Sequence, residues 1–435
     1  MRANRMNTHL VILAATALAM GVAGAAAAQT SSTQVAAQCP DWKTETNPVG
    51  PGEGDGYKCM HISAGDGFAK MADGKRLYSF GFADLTAATF KPRGVIDAVG
   101  AVPGGLLMAN APAPTIALDE GERFYLTLTN VGMLIRPDLF DPHTVHYHGF
   151  PNASAIFDGV PDASISINQT ASLTYFYNLV EPGTYMYHCH VEATEHMQMG
   201  MLGNLYVRPK QNHLPNGTDL DGNPGGPVHV TGNTYVYNDR DGSTRYDVEY
   251  PIQITSYDGR FHDASENVQP LPFAEMNDNY PLLNGRGYPD TVIPPGVPLL
   301  NGDDTDFAQQ MGGNFTQRVS SLITATTGQK ILLRISNLNV TRFHTLGLMG
   351  LKMKVVGRGA RLLRGRGETD LANQDLYYET SSVTLGGGEA VDVIIDTAGV
   401  TPGTYVLYTT NLNLLSNDAE DLGGMMTEIV ISPAV

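Results

Sequence analysis

Short runs of apolar, β-branched and aromatic residues recur along the chain, and turn-forming residues separate them. Clear examples cover residues 122–130, 172–177, 251–257, 330–337 and 390–396. Runs of this length and composition are typical of β-strands that are joined by turns. No segment of comparable length shows the periodicity of a helix. The pattern therefore predicts an all-β protein built of sandwiches or barrels.

The chain has 435 residues, which suffice for two or three domains. Between residues 210 and 232 the sequence turns to Asn, Gly, Pro and Asp, a composition that is typical of a linker. We therefore expect a first domain over residues 76–209 and a second domain over residues 233–435.

The two halves echo each other. The sequence Pro-Gly-Thr-Tyr occurs at residues 182–185 and again at residues 402–405, each time after a strand-like run. In this register the His-Cys-His of residues 188–190 falls on the Tyr-Thr-Thr of residues 408–410. The second copy thus keeps the strand and has lost the side chains that bind metals.

The N-terminus has the features of a secretory signal. Arg2 and Arg5 precede an apolar run, and three alanines at positions 26–28 offer a cleavage site. Residues 1–28 are thus predicted to be removed on export, which places the protein in the periplasm or outside the cell. No later apolar stretch approaches the length of a membrane span, so no membrane partner is expected.

Three cysteines are present. Cys39 and Cys59 lie in an N-terminal segment, residues 29–75, and we expect them to form a disulfide because such bonds persist in oxidising compartments. Cys189 is then the unpaired cysteine, as a metal-binding thiolate has to be.

The chain carries 44 acidic and 27 basic residues, a formal net charge of −17. A surface of this sign disfavours nucleic acid and anionic membranes as partners and favours cations, metal ions included.

Six of the twelve histidines fall between positions 143 and 196. They lie in two stretches, His-Thr-Val-His-Tyr-His at residues 143–148 and Tyr-His-Cys-His-Val-Glu-Ala-Thr-Glu-His-Met-Gln-Met-Gly-Met at residues 187–201. One thiolate, two imidazoles and a thioether form the soft donor set of a blue, electron-transferring copper. The expected ligands of this copper are His143, Cys189, His196 and Met201.

Met199 stays an alternative to Met201 as the weak axial ligand. Because side chains on a strand alternate between its faces, His188 and His190 point away from Cys189. A second group of imidazoles is therefore expected on the opposite face of the strand from Cys189. Its members are His146, His148, His188 and His190.

At these residues the chain resembles the multicopper oxidase family. Four segments resemble motifs of the family and occur in the family's order: Ala-Pro-Ala-Pro-Thr-Ile at 111–116, His-Tyr-His-Gly at 146–149, Asp-Gly-Val-Pro at 158–161 and Gly-Thr-Tyr-Met-Tyr-His-Cys-His at 183–190. The resemblance implies two cupredoxin domains, each a Greek-key β-barrel. It also implies that the first ligand set holds a type 1 copper and that the two His-x-His pairs form half of a type 2/type 3 copper cluster.

Asp158 matches an acid that helps to relay protons near that cluster in relatives. The alternative is an ordinary aspartate in a turn before glycine.

Two departures from the family pattern stand out. Five residues separate the His-Cys-His motif from His196, whereas three are common in relatives. The linker and the second domain, residues 210–435, carry no His-x-His pair; their histidines are His213, His229, His262 and His344. In this respect the second domain resembles the copper-free middle domain of three-domain family members, and the oxygen-reducing cluster is only half specified.

Three functions follow. The first is an oxidase that takes single electrons from a small organic or metal-ion donor and passes them to dioxygen. The second is a trimeric enzyme similar to copper nitrite reductases, in which His344 is the candidate third ligand or substrate-facing residue. The third is an electron carrier or copper-binding protein without catalytic activity.

We favour the oxidase. We also expect a homotrimer, because a symmetric ring would bring the second domain of a neighbouring chain to the open histidine face.

Overall fold

The structure is a computed structural model that describes residues 39, 56–91, 95–96, 102–150, 153–294, 319–365 and 374–434. The predicted signal segment, residues 1–28, lies outside the described residues. Within the described part of the chain, no helix is long and apolar enough to cross a membrane.

Two four-stranded sheets form the first domain. The strands of one sheet are β1 (Tyr57–Lys70), β2 (Arg76–Asp84), β6 (Arg123–Gly132) and β8 (Ser172–Asn178). Those of the other are β5 (Ile116–Asp119), β7 (His146–His148), β9 (Gly183–His188) and β10 (Leu202–Arg208). The strand orders are β2-β1-β6-β8 and β5-β10-β9-β7.

The two sheets enclose one hydrophobic core. Phe124 and Leu126 alternate with outward residues along β6 and are fully buried, as expected for the inner face of a strand. They belong to the same cluster as Tyr185 and Leu205 of the other sheet. Cys189 belongs to this cluster as well, so the candidate copper thiolate lies in the core of the first domain.

The second domain repeats the two-sheet plan with more strands. Its larger sheet contains β13 (Val248–Tyr257), β14 (Tyr280–Leu283), β16 (Lys330–Asn337), β18 (Met353–Arg358), β19 (Arg361–Leu362), β20 (Tyr378–Thr380) and β22 (Glu389–Asp396). Its smaller sheet contains β15 (Ile323–Thr326), β17 (His344–Leu348), β21 (Ser382–Leu385), β23 (Gly403–Thr409) and β26 (Met426–Ser432).

Three further strand pairs are short: β3 (Phe90–Lys91) with β4 (Val95–Ile96), β11 (Thr234–Tyr235) with β12 (Arg245–Tyr246), and β24 (Ser416–Asn417) with β25 (Glu420–Asp421). The helices among the described residues are α1 (Thr86–Thr89), α2 (Ala193–Gln198) and α3 (Gly259–Glu266). Single 3₁₀ turns cover Val102–Gly105, Ala155–Phe157, Lys210–His213, Phe273–Glu275, Asp290–Val292 and Leu412–Leu414. The prediction of an all-β fold is confirmed.

The first domain begins earlier than residue 76, the start that the sequence predicts. β1 lies between β2 and β6 and pairs with β6 in parallel from Tyr57 onward, so it is a central strand of the first domain. Residues 214–233 contain no strand, only an isolated β-bridge between Asp219 and Val228, and the linker stays a prediction. Cys39 and Cys59 form a disulfide, and Cys189 is the free cysteine.

A buried ionic cluster joins the two domains. Arg334 of β16 is fully buried, and its Nε donates to Glu249 Oε1 at 2.7 Å. Thr184 of β9 donates to Asp392 Oδ1 of β22 at 2.5 Å. Thr184 and His188 occupy the same face of β9 because they are four residues apart. The histidine-bearing face of β9 therefore forms part of the domain interface.

Candidate copper centre

The four predicted type 1 ligands lie on four separate segments of the chain. The backbone of His143 exchanges two hydrogen bonds with Ile167. Cys189 is the first residue after β9 and does not lie within the strand. His196 lies on α2, a short helix that the strand-based prediction missed, and Met201 directly precedes β10.

The structure brings His143, Cys189 and His196 together as one potential metal-binding group. Cys189 Sγ lies 3.2 Å from His196 Nδ1 and 3.7 Å from His143 Nδ1. A transition-metal ion with bonds of about 2.0–2.3 Å separates such ligand atoms by roughly 3.5–3.8 Å. All three residues have zero exposed surface. The donor types and their spacing therefore fit a buried type 1 copper.

The backbone distinguishes the two candidate axial methionines. The N–H of Met201 donates to the carbonyl of His196, and the carbonyl of Met201 accepts from the N–H of Cys189. Met199 instead bonds Glu195 and Phe80. Both methionines are fully buried, but Met201 is the one whose main chain is bonded to two members of the ligand group.

Burial lowers the pKa of His143 well below its ordinary value, and the neighbouring His196 adds to this effect. Burial also opposes a charge on His196, but the Cys189 thiolate and the Asp141 carboxylate outweigh it and raise the pKa of His196 to about 10. His196 Nε2 lies 3.9 Å from Asp141 Oδ2, which is too long for a hydrogen bond, so Asp141 acts through its charge. Copper has to compete with a proton for His196, because a raised pKa favours the protonated ring.

Two carboxylates flank the outer edge of His196. Ligand atoms of Asp141, Glu192 and His196 all lie within 4.8 Å of one another. Glu192 is exposed and Asp141 is partly exposed, so the two carboxylates connect the fully buried ring of His196 to the protein surface. Sequence reasoning missed this acidic pair, since Asp141 and Glu192 are far apart in the chain.

The second predicted group also assembles. Ligand atoms of His146, His148 and His188 form a potential metal-binding group. His148 Nε2 and His188 Nε2 are 3.0 Å apart. The ring of His190 lies 4.9 Å from that of His146, centroid to centroid. The four imidazoles therefore cluster on the opposite side of Cys189 from the first group, and the potential metal-binding group among the described residues contains three of them without His190.

Hydrogen bonds at Nδ1 orient two of these rings. His146 Nδ1 donates to the backbone carbonyl of Asp158 at 2.7 Å, and His188 Nδ1 donates to that of Cys189 at 2.7 Å. A ring that donates from Nδ1 presents the lone pair of Nε2 to a metal. Burial lowers the pKa of His188 to about 3 and also lowers that of His148. Both rings are thus neutral and able to bind a metal at neutral pH.

The same chain's second domain covers part of this site, which corrects the expectation of an open histidine face. A side chain at Gly388 would place its Cβ 2.8 Å from His148 Nδ1, so glycine permits this close approach. His188 is only 2 % exposed, and His146 and His148 are partly exposed. The second surface that the histidines need is therefore supplied partly within one chain.

The second domain also holds the loop that carries His196. His262 of α3 is fully buried, and its Nε2 donates to the carbonyl of Gln198 at 2.9 Å. The side chain of Gln198 donates to Asp278 Oδ1 at 3.3 Å. Both contacts join the longer ligand loop to the second domain. No motif in the sequence signals them, because they arise only when the domains pack together.

The two proposed catalytic residues differ in placement. Asp158 Oδ2 lies 3.7 Å from His146 Nδ1, so the structure brings Asp158 to the second histidine group. His344 begins β17 and is 1 % exposed. The potential metal-binding groups of the described residues do not include His344. Burial lowers its pKa to about 4. A role for His344 at a neighbouring chain's site stays a prediction.

Comparison with known proteins gives the same family twice. Two family models described as multicopper oxidase match residues 104–212 and 274–429. Together they cover more than half of the chain, and the first includes every residue of both candidate metal groups.

Individual curated proteins that are similar to this chain are named as a multicopper oxidase and a laccase. The chain is 26 % identical over 321 residues to the multicopper oxidase MmcO of Mycobacterium tuberculosis, covering 72 % of this chain and 52 % of MmcO. It is 25 % identical over 302 residues to laccase abr2 of Aspergillus fumigatus, covering 63 % and 46 %. The chain thus spans about half the length of these curated relatives.

Among solved structures, a blue copper oxidase of Nitrosomonas europaea matches with a TM-score of 0.56 and 19 % identity. The match covers 86 % of this chain and 85 % of that one. At this identity the likeness shows the fold, two cupredoxin domains, and nothing finer.

Proposed function

Because this chain belongs to the multicopper oxidase family, we propose that it is an exported copper-dependent oxidase. It oxidises a small donor one electron at a time and passes the electrons to dioxygen. Four donor oxidations, together with four protons, convert one dioxygen into two water molecules.

One observation carries this proposal. The group of His143, Cys189 and His196 lies back to back with the group of His146, His148 and His188, and the two groups meet at adjacent residues, Cys189 and His188. An electron carrier needs only the first group. A second group in covalent continuity with the first supports an enzyme that accepts electrons at one site and uses them at the other.

Bound copper would supply one-electron oxidation and reduction at the first group and a place for dioxygen reduction at the second. The protein's part is to hold the donors. Full burial excludes water from His143 and Cys189. The hydrogen bond from His188 Nδ1 to the Cys189 carbonyl fixes the ring of His188 and adds a second connection between the groups.

The donor approaches the edge of His196 that faces Asp141 and Glu192. Two carboxylates beside this edge attract cations and stabilise the additional positive charge that a donor gains when it loses an electron. We therefore favour cationic donors, ferrous or cuprous ions among them, over neutral phenols.

Protons reach the second group through Asp158 in this proposal. Its side chain is 38 % exposed and lies beside His146, so it can exchange protons with solvent on one side and face the dioxygen site on the other. No base is needed at the donor site for a metal-ion donor.

Copper content and oxygen consumption test the proposal together. The mature, copper-loaded protein is expected to contain more than one copper per chain and to consume dioxygen when ferrous ion or a phenol is supplied. One copper per chain with no oxygen consumption would contradict it and would support the electron carrier instead. Consumption of nitrite without consumption of dioxygen would support the nitrite-reductase alternative.

Export and assembly are part of the proposal. The signal-like residues 1–28 support a periplasmic or secreted protein. The partly exposed histidine group supports a homotrimer, in which a neighbouring second domain completes the coverage that Gly388 begins. Light scattering of the mature protein at micromolar concentration should give three times the mass of one chain, and a monomer would remove the intersubunit site.

A further inference from the structure

The smaller sheet of the second domain repeats the copper-bearing sheet of the first. In the first domain β9 lies between β10 and β7, and β10 is followed by β5. In the second domain β23 lies between β26 and β17, and β26 is followed by β15. The outermost pairs, β10 with β5 and β26 with β15, are both parallel. The two sheets can therefore be compared strand by strand.

The strand registers show that His344 occupies the position in the second domain that His143 occupies in the first. In the first domain His146 pairs with His188, and in the second Gly347 pairs with Tyr408. Since residue 188 corresponds to residue 408 in the Pro-Gly-Thr-Tyr repeat, His146 corresponds to Gly347. Three residues earlier in each strand segment stand His143 and His344. The surrounding sequences, His-Thr-Val-His at 143–146 and His-Thr-Leu-Gly at 344–347, agree with this register.

Backbone hydrogen bonds identify the residues of the second domain that correspond to the other predicted ligands of the first. The N–H of Cys189 donates to Met201 at 3.0 Å, and the N–H of Thr409 donates to Met425 at 2.9 Å. Met425 therefore corresponds to Met201, and Thr409 to Cys189.

A second pair of backbone hydrogen bonds identifies the residue of the second domain that corresponds to His196. The N–H of Met201 donates to the carbonyl of His196 at 2.8 Å, and the N–H of Met425 donates to the carbonyl of Leu414 at 3.1 Å. Leu414 thus stands where the first domain has His196. The second domain keeps the histidine and the methionine of a type 1 pocket and carries threonine and leucine in place of the other two ligands.

The retained histidine has no hydrogen-bond partner among the residues that the structure describes. Neither Nδ1 nor Nε2 of His344 bonds any described residue, although the side chain is 1 % exposed. Most buried polar atoms in proteins are hydrogen-bonded, so such an imidazole requires a partner of another kind. Met425 is fully buried. An imidazole and a thioether are ligands that soft cuprous ion accepts at low coordination number.

We propose that His344 and Met425 form a second-domain site for a soft monovalent cation such as Cu⁺. This site is independent of the oxidase function and involves no redox step. It would hold copper in addition to the two groups of the first domain.

Silver ion is a redox-inert probe of this site. The mature protein, whose first-domain groups are first filled with Cu²⁺ under oxidising conditions, is titrated with Ag⁺, dialysed and analysed for metal. Wild type is expected to retain one more silver ion per chain than His344→Phe, and Met425→Leu should weaken silver binding more than tenfold. Met353→Leu, which alters another fully buried methionine of the same core, is the matched control and should bind as wild type does. Equal silver binding by all four proteins would overturn the proposal.

A gain of colour tests the pocket itself. In a Cys189→Ser background, which lacks the first-domain thiolate, the double substitution Thr409→Cys and Leu414→His restores all four ligand positions in the second domain. Copper should then give the variant a blue absorption band. If its melting temperature matches that of the Cys189→Ser parent and it stays colourless with copper, the positions are not equivalent and the proposed site is wrong.

Discussion

His148 Nε2 lies 3.0 Å from His188 Nε2 across the interface between β7 and β9. A metal with bonds of about 2.0 Å to nitrogen separates two ligand atoms by roughly 2.8–3.5 Å, so one ion can bind both rings. His188 is also the residue next to Cys189. This pair of histidines is therefore where the second group meets the first.

Removal of the His148 ring tests the second histidine group independently of the first group. His148→Ala should lower the copper content per chain while the blue band persists, because His148 lies on the opposite side from Cys189. Turnover of dioxygen should fall more than about 100-fold, since even residues that only support metal ligands are worth roughly 10- to 100-fold. Metal analysis, absorption spectra and an oxygen electrode measure the three effects. His213→Ala, at an exposed position, is the control and should behave as wild type.

Cys189→Ser tests the first group. The blue colour arises from the copper–thiolate bond, and a serine hydroxyl cannot replace it. The variant should be colourless with copper while it retains the fold, which circular dichroism and the melting temperature check. A serine variant as blue as wild type would contradict the assignment of Cys189.

Met201→Leu should leave the protein blue and raise its reduction potential, because an axial donor that favours oxidised copper is lost. Leucine and methionine have similar volumes, so stability should change by less than about 1.5 kcal/mol. Met199→Leu is the matched comparison and should leave the potential unchanged. If only Met199→Leu shifts the potential in a redox titration, Met199 is the axial ligand.

Asp141→Asn tests the donor site. Removal of one carboxylate about 5 Å from a cation in a partly exposed site costs on the order of 1 kcal/mol, so kcat/KM for ferrous ion should fall about fivefold to tenfold. For a neutral phenol kcat/KM should stay within about twofold. Asp221→Asn, an exposed aspartate of the linker, controls for overall charge. An equal loss for both donors would argue that Asp141 acts on copper and not on the donor.

His61, a histidine outside the potential metal-binding groups of the described residues, predicts a pH dependence of stability. His61 is fully buried and hydrogen-bonded to Thr89 and Thr129, and burial lowers its pKa from 6.5 to about 4. The unfolded chain therefore binds more protons than the folded chain between pH 6.5 and 4, and stability is lost as pH falls through this range. This lowered pKa of His61 contributes about 3 kcal/mol to the loss of folding stability between pH 6.5 and 4.

Urea unfolding of the metal-free protein at several pH values measures this contribution. His61→Gln should be less stable at pH 7 but lose about 3 kcal/mol less than wild type between pH 6.5 and 4. The exposed His213 again gives the control, since His213→Gln should keep the slope of wild type. Parallel slopes for wild type and His61→Gln would show that another group causes the acid sensitivity.

The sequence alone predicted the fold class, the repeat and the three residues His143, Cys189 and His196 that the structure brings together as one potential metal-binding group. Strand alternation around residue 188 separates His188 from Cys189 whatever the rest of the chain does, because the periodicity of a strand is local. The motifs around residues 146 and 189 are also local in sequence, so their residues and order were sufficient to indicate the family.

Tertiary structure decided what covers the two groups. That Asp141 and Glu192 meet at His196, that Gly388 reaches His148, and that His262 supports the ligand loop all depend on how separate segments pack. The correspondence of His344 with His143 likewise appears only in the strand pairing of two sheets. Contacts of this kind join residues distant in sequence, and a local pattern of hydrophobic and polar residues carries no information about which distant residues will touch.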